Sequence, residues 1–485
     1  MTYRQKQLAI TAAGTGPLEI RVEYGRHDYD TSITAADITN GVCWLEGLYI
    51  NASDVLVRPI GADTTTAATY PTFFHGVDVA RAAVAKVSSY VYNSTTYNYS
   101  NVYVFDRPSP YVGAIFSNQQ TEGADTMLTW LATPTTAAAT NAALATLEAA
   151  TTPTGFICRD SGATTINGVS AHSRAFTNVQ ADPTNASGPL FWAQTNSLQA
   201  PATINLMGYG TVSMPSMGIV FGPGCKRVEM HGIHIKGFSG SYSGWGGFTF
   251  LGCTEVVLSS CKVDCLGGNA DHNNNYAPII ASYYDGFAFA GVGFVQLKGC
   301  TATGITNDGF KFFSPGNSKS ASVYEMENCF GSRFGSTAKQ YELAQVGSAA
   351  NGCSIHGQGD LTMRNTHLYN AAAPIVAHSG GGLFTAYNCT FDGSKFSRSG
   401  SSDSANPGRP NSSCCGVAVG QGDGTNINAQ LSTARLYNCT LSNNEAGVKN
   451  IYAASGGVIE LYKCVTGTAT PANNTSADVG ATVKI

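Results

Sequence analysis

Charge is scarce in this sequence. Of 485 residues, 12% are Asp, Glu, Lys or Arg, and the formal net charge is -4. Disordered chains combine high charge with low hydrophobicity, so a composition that is 43% hydrophobic excludes that class. Clusters of Lys and Arg are missing, which argues against nucleic-acid binding. No apolar run is long enough to span a bilayer. The opening Met1-Thr2-Tyr3-Arg4-Gln5-Lys6-Gln7 leads into no hydrophobic segment, so no signal peptide is expected. Nor does the chain carry a phosphate-cradling glycine loop, a zinc-ligand spacing or a nucleophile elbow.

Glycine and cysteine are plentiful, with 55 and 14 residues. The cysteines follow a pattern. Val256-x-Leu258-x-x-Cys261-x-Val263 recurs around Cys300, Cys329, Cys389, Cys439 and Cys464, with Ile233 and Thr366 replacing cysteine in two further units. Upstream of each lies a small residue followed by apolar-x-apolar, as in Gly247-Phe248-Thr249-Phe250, Gly286-Phe287-Ala288-Phe289 and Gly309-Phe310-Lys311-Phe312. The same frame extends to Gly352-Cys353-Ser354-Ile355, Pro374-Ile375-Val376-Ala377 and Gly447-Val448-Lys449-Asn450. Both halves alternate with period two, the signature of short strands with one buried face. A helical repeat would need a 3.6-residue period, which these units lack.

Short strands stacked without crossover helices predict an all-β, single-stranded right-handed parallel β-helix. Successive turns would lie about 4.8 Å apart. Cysteine would then stack on cysteine inside the coil, where a free thiol behaves as a small hydrophobe. Asn328, Asn365, Asn388 and Asn438 precede that column and would ladder their amides at a tight corner. A slip of one residue would ruin both columns, so together they fix the register. Reduced interior thiols are expected, Cys414-Cys415 being the exception that would form a disulfide.

Asparagine ladders, interior stacks and the G-F-x-F strands resemble the right-handed β-helices of the pectate-lyase-like superfamily. Within it the chain is most similar to bacteriophage tailspikes and polysaccharide depolymerases. The resemblance covers roughly residues 217–465. It implies a polysaccharide partner, a homotrimer and a virion-tail or extracellular location; no cofactor is expected apart from the calcium considered below. Fold does not dictate reaction, so hydrolase, lyase and non-catalytic glycan-binding spike all remain open.

Three regions are expected: a β-rich capping, attachment or irregular early-turn region (1–200), the β-helix (201–470), and a capping strand (471–485). Within the first, Leu18 to Tyr24 reads as a strand, and the alanine-rich stretches 78–89 and 136–150 read as helices. Excess residues in 264–285, 331–351 and 392–415 all leave one corner of the coil and would wall a lateral groove. Tyr276, Tyr283, Tyr284, Phe334, Tyr341 and Phe396 would offer rings to sugars there.

The candidate chemistry is carried by three groups. Asp285 and Asp308 precede the G-F-x-F strand in adjacent turns, where two close carboxylates would act as acid and base or nucleophile; Asp-Gly is also a plain turn pair. His356 and His378, read as equivalent positions, would join Lys311 in a solvent-facing cluster able to neutralise a uronate and move its C5 proton. Asp271-His272-Asn273-Asn274-Asn275 supplies oxygen and nitrogen donors for calcium or for substrate. Arg364 and His367 lie on the cysteine strand, a different face, and join a site only if loops fold over.

Overall fold

The computed structural model describes residues 2–28, 48–60, 71–74, 218–238, 246–266, 285–305, 307–314, 322–334, 351–371, 374–379, 381–393, 415–420, 432–442, 451–453 and 457–466. It also describes strands and a helix within 76–213 and two strands within 475–484.

Three long parallel sheets run the length of the described coil. They hold 11, 9 and 10 strands and are called A, B and C in the order in which a turn visits them. One turn comprises Glu255–Ser259 in A, Lys262–Leu266 in B and Phe287–Ala290 in C. Each strand pairs in parallel register with its counterpart one turn later, at Phe294–Lys298, Thr301–Ile305 and Phe310–Phe313. This is a right-handed parallel β-helix, the hand that parallel β-crossovers take.

The interior is built of like residues piled on like. Cys261, Cys300, Cys329, Cys389 and Cys439 are buried in one core with Ile233, while Cys464 at the end of the column is partly exposed. Ten cysteines between Cys225 and Cys464 are free thiols; Cys415 is one of them, and Cys414 lies outside the described residues. Phenylalanines form a parallel column in sheet C, Phe221 on Phe250 at 4.8 Å, Phe250 on Phe289 at 5.1 Å and Phe289 on Phe312 at 5.2 Å. Stacked aromatic pairs add about 0.5–1.5 kcal/mol each beyond their buried area.

The A-to-B corner turns on one residue of positive φ per turn. Gly232, Ser260, Gly299, Asn328, Asn365, Asn388, Asn438 and Lys463 hold it, with φ between 46° and 62°. Asparagine tolerates this left-handed conformation and can bond its neighbour. Asn388 Nδ2 donates to Asn365 Oδ1 and Asn438 Nδ2 to Asn388 Oδ1, each at 3.4 Å.

The sequence divides at about residue 200 on composition; strand pairing instead carries sheet A from Leu18–Glu23 through Asp54–Ile60 to Arg227–His231. Residues 76–213 leave the coil after Pro71–Phe74 and return at Ile219–Phe221, forming a five-stranded and a four-stranded sheet of their own. The described residues of stretch 78–89 are strand rather than helix, at the end of Gly76–Val79, in Val84–Lys86 and at the start of Ser89–Tyr92, whereas Ala137–Ala149 is helical. A second helix, Tyr3–Ala13, covers the first turn. Its Gln7 side chain both donates to Tyr49 O (3.0 Å) and accepts from Tyr49 N (2.8 Å), closing part of the edge of sheet C. At the other end, Thr475–Ala477 and Thr482–Lys484 extend sheets C and A.

Candidate functional site

Sheet C differs from its neighbours. Strands of sheet A alternate buried and accessible residues, as a half-solvated sheet should, but Phe248–Leu251 and Phe287–Ala290 of sheet C are buried throughout. The outward column of sheet C reads Thr249, Ala288, Lys311, Ser354, Ala377 and Ala418, so one cation stands among small residues.

Just before this sheet, at the B-to-C corner, Asp285, Asp308 and Asn351 stack in consecutive turns. Gly286 N donates to Asp308 O and Gly309 N to Asn351 O, confirming the column expected from the Asp-Gly pairs. Their side chains form a continuous network. Asp285 Oδ1 accepts from Asn307 Nδ2 at 2.6 Å and from the Asp308 backbone N–H at 3.2 Å. Asp285 Oδ2 faces Lys311 Nζ at 3.1 Å. Asp308 Oδ1 accepts from Asn351 N at 3.0 Å, and Asp308 Oδ2 accepts from the Ser354 hydroxyl. Asn351 Nδ2 in turn donates to Pro374 O at 2.6 Å. Both carboxylates are buried, while the Lys311 side chain keeps 14% of its surface exposed.

Burial is the largest influence on Asp285 and pushes its carboxyl up to about 7; the Lys311 ammonium opposes the rise and the neighbouring Asp308 adds to it. A carboxyl held there changes its protonation state near neutrality. Asp308 differs in its partners: its oxygens accept from the buried, neutral Asn351 and Ser354, whereas Asp285 Oδ2 meets the partly exposed Lys311 ammonium.

The two histidines do not share a position. Ile355 pairs with His378, and His356 with Ser379, so the frame Pro374-Ile375-Val376-Ala377 is one residue out of step. Ile375 takes the place of the column glycine, its carbonyl accepting from Cys353 N, and the following strand shifts accordingly. His378 consequently points into the coil, buried, with Nε2 bonded to Gly382 O at 2.6 Å. Burial pushes its imidazole towards the neutral form. His356 remains on the outer side of sheet C, one turn and two residues from Lys311, with its ring 5.8 Å from that of Phe313 and Nδ1 3.3 Å from Ser379 Oγ.

Phe334 is buried in the core, against the positions of Gly309, Gly331 and Gly352, and offers no ring to a ligand. Arg364 stands on sheet A, away from Lys311, with its guanidinium 4.6 Å over the Tyr387 ring. Asp271, His272, Tyr276, Tyr283, Tyr284, Tyr341 and Phe396 lie outside the described residues. Among the described residues no group of three or more His, Cys, Asp or Glu is arranged to hold a metal, and no helix is long and apolar enough to cross a membrane. Sequence reasoning missed Asn307 and Ser354. Their only signal was adjacency, Asn307 to the Asp-Gly pair and Ser354 to the Lys311 column.

No family model and no curated protein sequence matches this chain. Solved structures do resemble it. The Azotobacter vinelandii mannuronan C-5 epimerase AlgE6 A-module is 10% identical with a TM-score of 0.35, covering 100% of this chain and 94% of its own. The tailspike gp49 of Pseudomonas phage LKA1 is 12% identical with a TM-score of 0.22, covering 97% and 72%. The tailspike gp61 of Pseudomonas phage phi297 is 11% identical with a TM-score of 0.24, covering 94% and 67%. Likenesses this remote carry no argument about chemistry, and the architecture rests on this chain's own strand register: three parallel sheets wound into one β-helix.

Proposed function

We propose that this protein degrades an extended extracellular polysaccharide at the B-to-C corner and the outer side of sheet C, with Asp285 and Lys311 as the proton-transferring pair. The observation that carries the reading is the buried Asp285 carboxylate, held up to about 7 beside a partly accessible ammonium at 3.1 Å. A general acid or base works best when its pKa lies near the working pH. Within this reading elimination is favoured over hydrolysis. A glycoside hydrolase needs two carboxylates that both reach the glycosidic bond; Asp308 is bonded on both oxygens to the buried Asn351 and Ser354, whereas Asp285 communicates with the surface through the partly exposed Lys311. Asp308 is thus a positioning residue. Lys311 would neutralise a uronate carboxylate, Asp285 would move the proton, and His356 would line the approach. The reading carries with it a virion-tail or extracellular location and a side-by-side homotrimer, the latter tested by light scattering.

A non-catalytic glycan-binding spike is the second reading, favoured by the complete burial of Asp285. Incubation with acidic and neutral bacterial polysaccharides separates the two. Elimination yields unsaturated uronate ends that absorb in the ultraviolet, and hydrolysis yields reducing ends without that absorbance. Lys311→Met and Asp285→Asn should each abolish product while the protein stays folded. Unchanged turnover in both variants would remove the pair from the site, and binding without product would favour the spike.

A further inference from the structure

Sheet B presents an outer surface unlike that of a merely solvated sheet. Phe330 faces outward and is 41% exposed, between Thr301 and His367 of the adjacent turns. Its ring lies 5.8 Å from that of Tyr369, tilted by 43°, and Tyr369 stacks on His367 at 6.4 Å. Rings held open in this way suit the apolar face of a pyranose.

A second observation on the same strand points to a ligand. The last residues of sheet B strands turn through a left-handed position, filled by Gly304 (φ 65°), Arg333 (φ 63°), Asn370 (φ 55°) and Gly393 (φ 78°) in successive turns. Glycine adopts this conformation freely and asparagine readily; other side chains are strained there by roughly 1–2 kcal/mol. Arginine is therefore the costly choice at 333, and retained backbone strain points to a role for the side chain. That side chain reaches back across the outer face, placing Nη2 3.9 Å from Asp264 Oδ1, and keeps 37% of its surface exposed. Asp264 itself is buried and accepts from the Thr303 hydroxyl at 2.7 Å, so the guanidinium is steered from a fixed point.

We propose that the outer face of sheet B is a subsite for an acidic sugar unit, with Phe330 and Tyr369 under the ring and Arg333 on the carboxylate. This rests on the polysaccharide reading above and deepens it by placing a second contact for its acidic sugar away from the corner. The subsite and the corner are joined by one strand. Phe330 begins Phe330–Phe334, and Phe334 packs at Gly309 and Gly352, the residues after Asp308 and Asn351. At about 3.3 Å per residue, four residues separate the ring platform from the corner by roughly 13 Å, within the span of one bound oligosaccharide.

Polymannuronate and dextran serve as acidic and neutral probes, titrated into the full-length chain by calorimetry. Phe330→Ala and Arg333→Gly should each raise the Kd for polymannuronate at least fivefold. Arg333→Gly should also keep or raise the melting temperature, because glycine relieves the backbone. Wild-type binding by both variants, with turnover still lost in Lys311→Met, overturns the subsite and leaves the proposed function standing. A wild-type chain that binds dextran but not polymannuronate overturns the acidic-sugar assignment alone. Binding of neither polymer overturns it as well.

Discussion

Lys311 Nζ stands 3.1 Å from Asp285 Oδ2, and the carboxylate it meets has no exposed surface. The pair fixes a pH dependence. The Asp285 carboxyl moves from 3.8 to about 7 on folding, chiefly through burial. Below about pH 4 both states hold the proton; from there to about 7 the folded chain keeps it while the unfolded chain releases it. The stability this group contributes is full in acid and falls as pH rises through that window. Asp285→Asn cannot titrate, so its melting temperature relative to wild type should shift in the variant's favour between about pH 4 and 8. A difference that stays constant across the range refutes the assignment.

Gly246 packs against the Asp285 backbone from the preceding turn. A Cβ at 246 would lie 1.5 Å from the Asp285 carbonyl oxygen, closer than any real contact. Gly246→Ala must displace the Asp285 backbone and should destabilise the coil by about 1–3 kcal/mol or more. Turnover should fall further than denaturant unfolding alone explains, since the displaced backbone carries Asp285 away from Lys311.

The asparagine corner makes a graded prediction. Asn388 has φ 53° and bonds Asn365 and Asn438 through its amide. Asn388→Ala keeps the turn but strains it, with an expected loss of about 1–2 kcal/mol. Asn388→Gly restores the conformation without the amide and should lose less. Equal losses in urea unfolding would show that the amide ladder, not the backbone, sets the stability.

On the outer face of sheet A, Tyr437 is sandwiched between Tyr387 at 4.9 Å and Tyr462 at 4.6 Å. Tyr437→Ala removes both stacks and should cost about 1–3 kcal/mol, at 0.5–1.5 kcal/mol per pair. Tyr462→Ala removes one and should cost roughly half as much. The comparison of the two by chemical denaturation checks that ring stacking, not β propensity, is responsible.

Columns were legible in the sequence wherever chemistry repeats along them. Cys261, Cys300 and Cys329 announce the interior, and Asn365, Asn388 and Asn438 announce the corner, because parallel in-register stacking places like residues together. Register failed where that marker is missing. No glycine precedes Val376, so the repeat frame starts the strand at Ile375 and sends His378 outward, one residue from the observed register. Parity failed at Phe334 for another reason. Simple alternation from Phe330 and Ser332 sends it outward, but left-handed Arg333 adds a step and returns it to the core. The first turns were illegible because Leu18–Glu23 and Asp54–Ile60 carry neither corner cysteine nor G-F-x-F strand, and 76–213 intervenes before the pattern begins. Of the candidate site, the Asp285–Asp308 column was readable, while the partners that lock Asp308 came from a strand distant in sequence.

The two corners that flank sheet B obey opposite rules. The one entering it is a single left-handed residue repeated turn after turn, where an added amino acid would throw the side chains of the strand that follows to the wrong side. The one leaving it passes from Phe74 to Ile219 in one turn and from Ile305 to Phe310 in another, yet the strands on either side keep identical pairing. Length at that exit is thermodynamically cheap, since loop closure grows only with the logarithm of loop size. A scaffold of this kind can take in or lose whole inserted segments along one edge without refitting its core, so those segments are free to change faster than the frame that carries them.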